Sequence, residues 1–138
     1  MYRYSEDGKS FIMVDGRDVD VPRFRSPRGV HELCLVHSVD GIGVLDRSES
    51  ADYALTFLGS DGRSGSGRTL SGALLCSVAF ADLVGVKAFH STDYSVEGPD
   101  GVIAARILSH LGECKVVSIC GQSLPELTGS TVCEGEVE

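Results

Sequence analysis

The residues of this chain that could do chemistry are five cysteines, four histidines and a glycine- and serine-rich stretch from Gly59 to Gly72. Cys34 stands between His31 and His37, an H-x-x-C-x-x-H pattern that suggests metal ligands. On one helix the two histidines would point about 120° apart, which strains three-way ligation. No C-x-x-C pair occurs, so the usual zinc spacing is missing and no metal site is expected. Gly62-Arg63-Ser64-Gly65-Ser66-Gly67 has the composition of a phosphate cradle. It lacks the Gly-Lys-Ser/Thr ending of a P-loop, and its glycine order is not the dinucleotide pattern. Gly8-Lys9-Ser10 has that ending without the upstream glycine. A flexible surface loop and no cofactor are therefore expected. What survives is a helix start near Ser71 with Arg63 and Arg68 close by, a combination that suits a small anion such as a carboxylate.

The cysteines are odd in number and widely spaced, and the N-terminal residues MYRYSEDGK lack the basic-then-apolar order of an export signal. Reduced thiols in a cytoplasmic protein are expected, with Cys34 and Cys76 packed inside and Cys133 free. The chain has 138 residues, enough for one substantial core. A net charge of −8 opposes phosphate binding, so no nucleic-acid partner is expected. No apolar run approaches the roughly 20 residues of a membrane helix, so no membrane partner is expected either.

These residues need elements to position them. Tyr2 and Tyr4 alternate around Arg3 as in a half-buried strand, and Phe11 to Val14 reads as a buried one. Ser26-Pro27 is a cap and first turn for a helix that aligns Val30, Leu33, Cys34 and His37 on one face. Strands follow at Ile42–Leu45 and from Tyr53, the latter alternating through Leu55 and Phe57. Ser71 reads as the N-cap of a second helix, from Gly72 to about Val84. It is apolar on nearly every side and so must be buried. Four more strands are expected at Val86–Phe89, Tyr94–Val96, Val102–Leu108 and Cys114–Ile119. From residue 121 on, the sequence is polar and acidic, which predicts one domain over 1–120 and a loosely held tail over 121–138.

The order Asp40-Gly41, apolar strand, Ala51-Asp52-Tyr53, strand, Asp61-Gly62 resembles the N-terminal half of diaminopimelate epimerase. So do Gly8 to Asp15 and the helix ending Leu33-Cys34-x-x-His37. The resemblance covers about residues 2 to 120 and implies an α+β fold. In it, an antiparallel or mixed sheet wraps around one central buried helix. It also implies a cofactor-free proton transfer between two cysteines, one from each of two halves. Here the family's C-G-N-G motif falls on RSGSGRTLSG, with either Arg68 or Ser71 at the cysteine position, and the family's substrate-binding asparagine falls on Lys9. No residue is therefore assigned a catalytic role. Lys9, Arg68, Ser71 and Gly72 are the candidate ligand-binding residues. The related phenazine-biosynthesis isomerases use an acidic residue in place of the cysteines. The nearest acidic residues here, Asp40 and Asp61, read more simply as turn residues.

Two functions follow from the resemblance, and a purely structural domain is a third reading. One is a catalytically degenerate relative that binds a small carboxylate or amino acid, or serves as an interaction module. The other is an isomerase or epimerase whose cleft forms between two chains. A homodimer is expected, because a lone half keeps the apolar surface and strand edges that its missing half would cover.

Overall fold

The computed structural model describes residues 1–65, 67–87, 91–121 and 124–135, with the backbone alone at 121 and 124–128. Eight strands close into a barrel in chain order: β1 (Tyr2–Glu6), β2 (Lys9–Asp15), β3 (Gly41–Asp46), β4 (Tyr53–Gly59), β5 (Asp93–Gly98), β6 (Gly101–Leu111), β7 (Cys114–Gly121) and β8 (Leu124–Gly135). Neighbours are antiparallel except β2–β3 and β4–β5. Each parallel pair needs a crossover, and each crossover is a helix. Helix α1 (Pro27–His37) joins β2 to β3, and α2 (Gly67–Leu83) joins β4 to β5.

The two helices lie on opposite sides of the sheet, and the sequence explains why. In α2 every residue from Leu70 to Ala81 is buried, and the helix touches all eight strands. Small residues (Gly72, Ala73, Ser77, Ala79, Ala81) thin the helix so that a barrel can close around it. Leu74, Leu75, Val78 and Phe80 fill the space toward Phe11, Tyr53, Val96 and Ile119. By contrast α1 is amphipathic. Its Val30, Leu33 and Cys34 cover Ile12, Val14 and Ile42 from outside. Strands β2 and β3, lying between α2 and α1, are buried on both faces, hence their unbroken apolar runs. Strands β4 and β6 alternate.

The expected cap at α1 is present: Gly29 N donates to Ser26 Oγ at 2.9 Å. Five other expectations change. The loose tail is instead strand β8, which pairs with both β7 and β1 and closes the barrel, so the boundary at residue 120 is no break in the fold. Cys133 is not free but bonded to Cys114, its register partner. The flexible loop is pinned up to residue 65: Gly59 N donates to Arg63 O at 2.7 Å, and Gly62, at φ 78°, lies so close to Pro27 O that a Cβ would fall 2.6 Å from it. Strand edges, part of the case for a dimer, are largely covered among the described residues, since every strand of the barrel has a neighbour on both sides, although β4 meets β5 at only two positions. Of the strand expected at Val86–Phe89, residues 86 and 87 form a bend, and 88 and 89 lie outside the described residues.

Two hydroxyls inside the barrel satisfy each other. Ser77 Oγ donates to Leu74 O at 2.6 Å, which leaves the Tyr53 hydroxyl to donate to Ser77 Oγ at 2.7 Å. Burial also pushes the Tyr53 hydroxyl pKa well up. Ser77→Ala is expected to lower stability by about 1–3 kcal/mol in denaturant titration, the cost of a buried hydroxyl left without a partner.

Candidate functional site at the N-terminal end of the central helix

The hairpin between β1 and β2 turns on Asp7 and Gly8, both with positive φ (49° and 77°). That geometry fits the Asp-Gly preference of two-residue hairpins. It sets Glu6 directly opposite Lys9. The inward face of β1 carries Tyr4 and then Glu6, so Glu6 sits at the mouth of the barrel beside the first turn of α2. A cavity of about 420 Å³ opens there. Its walls are Glu6, Asp7 and Lys9 from the hairpin, Arg68 and Ser71 from α2, and Ser130 and Thr131 from β8.

Three of the four candidates from the sequence therefore meet in one cavity: Lys9, Arg68 and Ser71. Gly72 is not in its wall. A Cβ at Gly72 would stand 3.1 Å from Glu6 Oε1 and 3.2 Å from the Phe11 ring, so its lack of a side chain makes room for both. Ser71 is not an N-cap. The helix begins four residues earlier, at Gly67, and Ser71 Oγ donates back to Gly67 O at 3.1 Å. That shift puts Arg68 in the first turn, where it pairs with Asp7 at 2.9 Å. Asp40 and Asp61 are turn residues, as expected. Asp40 accepts from Ser10 N, and Asp61 from Arg63 N. His31 faces Ser60 O at 2.9 Å through Nδ1, while Cys34 is buried under α1.

The sequence did not point to Glu6, Ser130 or Thr131. Glu6 is the notable one. Burial, then the neighbouring Asp7 charge, push its carboxyl above the usual glutamate range, against the pull of Ser130, Arg68 and Lys9. No activated thiol lies nearby. Burial, and then the Glu6 charge, raise the Cys76 thiol well above its ordinary value. The Cys34 thiol is pushed to about 11 by burial and by Asp40. At neutral pH both are thiols, poor nucleophiles and poor bases.

The cavity is thus electrically mixed. Two carboxylates and two cations line one mouth, next to the positive end of a helix dipole. A simple anion would find Glu6 and Asp7 opposing it. A zwitterion could meet both signs at once, its carboxylate toward Lys9, Arg68 and the helix terminus, and its ammonium toward Glu6 and Asp7.

No family model matches the chain, and none of the curated proteins does. Its fold does match solved structures: it is the diaminopimelate epimerase-like fold, shared with proteins of the phenazine-biosynthesis PhzF family. One is the PhzF-family protein of Bacillus anthracis, at TM-score 0.64 and 11% identity, matched over 86% of this chain and 38% of that one. A second, from Enterococcus faecalis, has TM-score 0.50 and 11% identity, over 85% of this chain and 43% of the other. The chain spans less than half of either structure, and at this identity the likeness is one of fold. The specific resemblance to diaminopimelate epimerase is thereby reduced to that shared fold. Among the described residues no helix is long and apolar enough to cross a membrane.

Proposed function

We propose that this chain is a single-barrel relative of the epimerase-like proteins that binds a small amino acid at the mouth of its barrel. The observation that carries this is the mixed cavity: Lys9 and Arg68 for the carboxylate, and Glu6 and Asp7 for the ammonium. Thermal denaturation against a panel of L- and D-amino acids, malonate and 1,3-diaminopropane tests it. An amino acid at a hundred times its Kd stabilises the fold by about 2.7 kcal/mol. At equal concentration the dicarboxylate and the diamine should give less. A panel in which malonate or the diamine ranks first contradicts a zwitterion site.

Arg68 is a sharp probe of this reading. Its pair with Asp7 is 84% and 65% exposed at the two side chains, so the pair contributes at most about 1 kcal/mol to stability. Arg68→Ala is expected to leave denaturation nearly unchanged while weakening binding about tenfold or more, some 1.4 kcal/mol, in calorimetry.

Glu6 gives a pH signature. In the folded protein its pKa is raised, so the contribution of this group to stability is fully present below the unfolded pKa. It is lost as pH rises through the folded pKa. Glu6→Gln is therefore expected to stabilise the protein at neutral pH. Binding has the opposite sign. An ammonium group favours ionised Glu6, so affinity rises with pH through the raised pKa and a proton is released on binding. Calorimetry in buffers of different ionisation enthalpy should show that proton for the native chain and not for Glu6→Gln.

The same residue favours a second reading. A carboxyl held toward protonation beside a bound amino acid is placed to carry a proton. In that case the chain would be an isomerase whose cavity is covered by a second copy. Exchange of the α-hydrogen with deuterated water separates the two readings. Binding without exchange supports the first, and exchange lost in Glu6→Gln supports the second. On diaminopimelate we expect none, since neither Arg68 nor Ser71 supplies a thiol. The homodimer is likewise a proposal, resting on the open cavity mouth rather than on strand edges. Sedimentation giving 14.6 kDa at micromolar concentration contradicts it.

A further inference from the structure

The wall of the cavity formed by Ser130 and Thr131 belongs to the strand that closes the barrel. That strand, β8, is tied to β7 by the Cys114–Cys133 disulfide, between residues directly opposite in register. Val117, Ile119 and Val132 point inward and are buried, so alternation sets both cysteines on the outer face, where they are half-buried. Each cysteine therefore keeps part of its surface exposed on the outside of the barrel. Further along, the β7–β8 ladder is irregular, with register shifts between Val117 and Ile119 and again between Ile119 and Gly121. On its other side β8 meets β1 through four paired positions, among them Ser5 with Cys133 and Glu6 with Val132. The disulfide therefore sits two residues from Thr131 and one rung from Glu6, at the seam beside the cavity.

We propose that Cys114–Cys133 is a redox-sensitive clasp: intact, it holds the Ser130–Thr131 wall against Glu6 and Lys9, and thiol–disulfide exchange releases that wall. The reductant is a dithiol. One of its thiolates attacks a cysteine sulfur, forming a mixed disulfide and expelling the other cysteine as a thiolate, which takes a proton. The second thiol of the reductant then displaces the first cysteine. The reductant leaves as its own disulfide, and the protein gains two electrons and two protons. What remains to hold β8 is the ladder to β7, regular from Cys114 to Val117 (opposite Cys133 to Ser130) and irregular beyond, and the short one to β1. The opening does not depend on which molecule the cavity takes.

Amide hydrogen exchange on the full chain tests this, in a Cys120→Ser background because Cys120 is an exposed third thiol that could reshuffle the pair. Three samples are compared: oxidised, reduced with dithiothreitol, and oxidised Ser77→Ala. The last keeps the clasp while lowering global stability. The expected result is exchange at least tenfold faster at residues 6–9 and 130–132 in the reduced protein, with those amides unchanged in Ser77→Ala. A Cys114→Ser/Cys133→Ser variant should behave as reduced with or without dithiothreitol. If the reduced protein and Ser77→Ala give the same pattern, the disulfide adds global stability only and the clasp is overturned. Unchanged exchange at residues 130–132 on reduction overturns it as well.

Discussion

Asp82→Ala is expected to destabilise the protein by about 3–5 kcal/mol, more than Ser77→Ala or loss of the disulfide. Asp82 lies at the C-terminal end of α2, the end of the barrel opposite the cavity. Its carboxylate accepts from Tyr94 Oη at 3.0 Å and from Lys115 Nζ at 2.9 Å. The Asp82 side chain is only 6% exposed and that of Lys115 19%. Lys115 is the one charged residue that β7 points into the barrel, in line with Val117 and Ile119. Removing the carboxylate leaves an ammonium poorly hydrated and without this counter-charge, and takes the acceptor from a phenol. The paired change Asp82→Ala/Lys115→Met removes both charges and should recover part of the loss, because replacing a buried ion pair with apolar groups is far less costly than breaking it. Denaturant midpoints at constant slope report both numbers. A loss below about 1 kcal/mol in the single variant would mean the pair is effectively solvated.

Loss of the disulfide is the second large effect. Cys114 and Cys133 are 19 residues apart in sequence, and a link closing a loop of that size contributes about 3 kcal/mol, chiefly by restricting the unfolded chain. Cys114→Ser/Cys133→Ser should show that loss under oxidising conditions. Under reducing conditions it should match the native chain. If the native midpoint does not move on reduction, the bond contributes nothing and the seam is held by the ladders alone.

Legibility in the sequence varied by element, for physical reasons. The central helix was legible because an all-round apolar helix has nowhere to go but inside. Its start was not, because Gly67-Arg68-Thr69 carries the glycine and serine context of a loop. Only the tertiary fold makes it a first turn. Ser26-Pro27 announced α1 through local chemistry alone. Strand β8 left little trace, since a polar segment becomes a strand here by completing hydrogen bonds that β7 and β1 offer. The disulfide was hidden for the same reason: it depends on a register that the sequence does not display. Lys9, Arg68 and Ser71 were singled out through a family pattern, and the barrel brings them into the wall of one cavity. Glu6 was missed although Asp7-Gly8 is a recognisable hairpin turn, one that would have set Glu6 opposite Lys9.

The proposed amino-acid site in the mixed cavity is tested most directly by a calorimetric titration of the native chain and of Lys9→Glu/Arg68→Glu. The titrant is the amino acid ranking first in the thermal panel. Reversing both cations leaves the carboxylate of the ligand facing four negative side chains, so binding should weaken at least a hundredfold, about 2.7 kcal/mol. Binding of equal strength to both proteins, or no heat and no thermal shift from any amino acid, would contradict it.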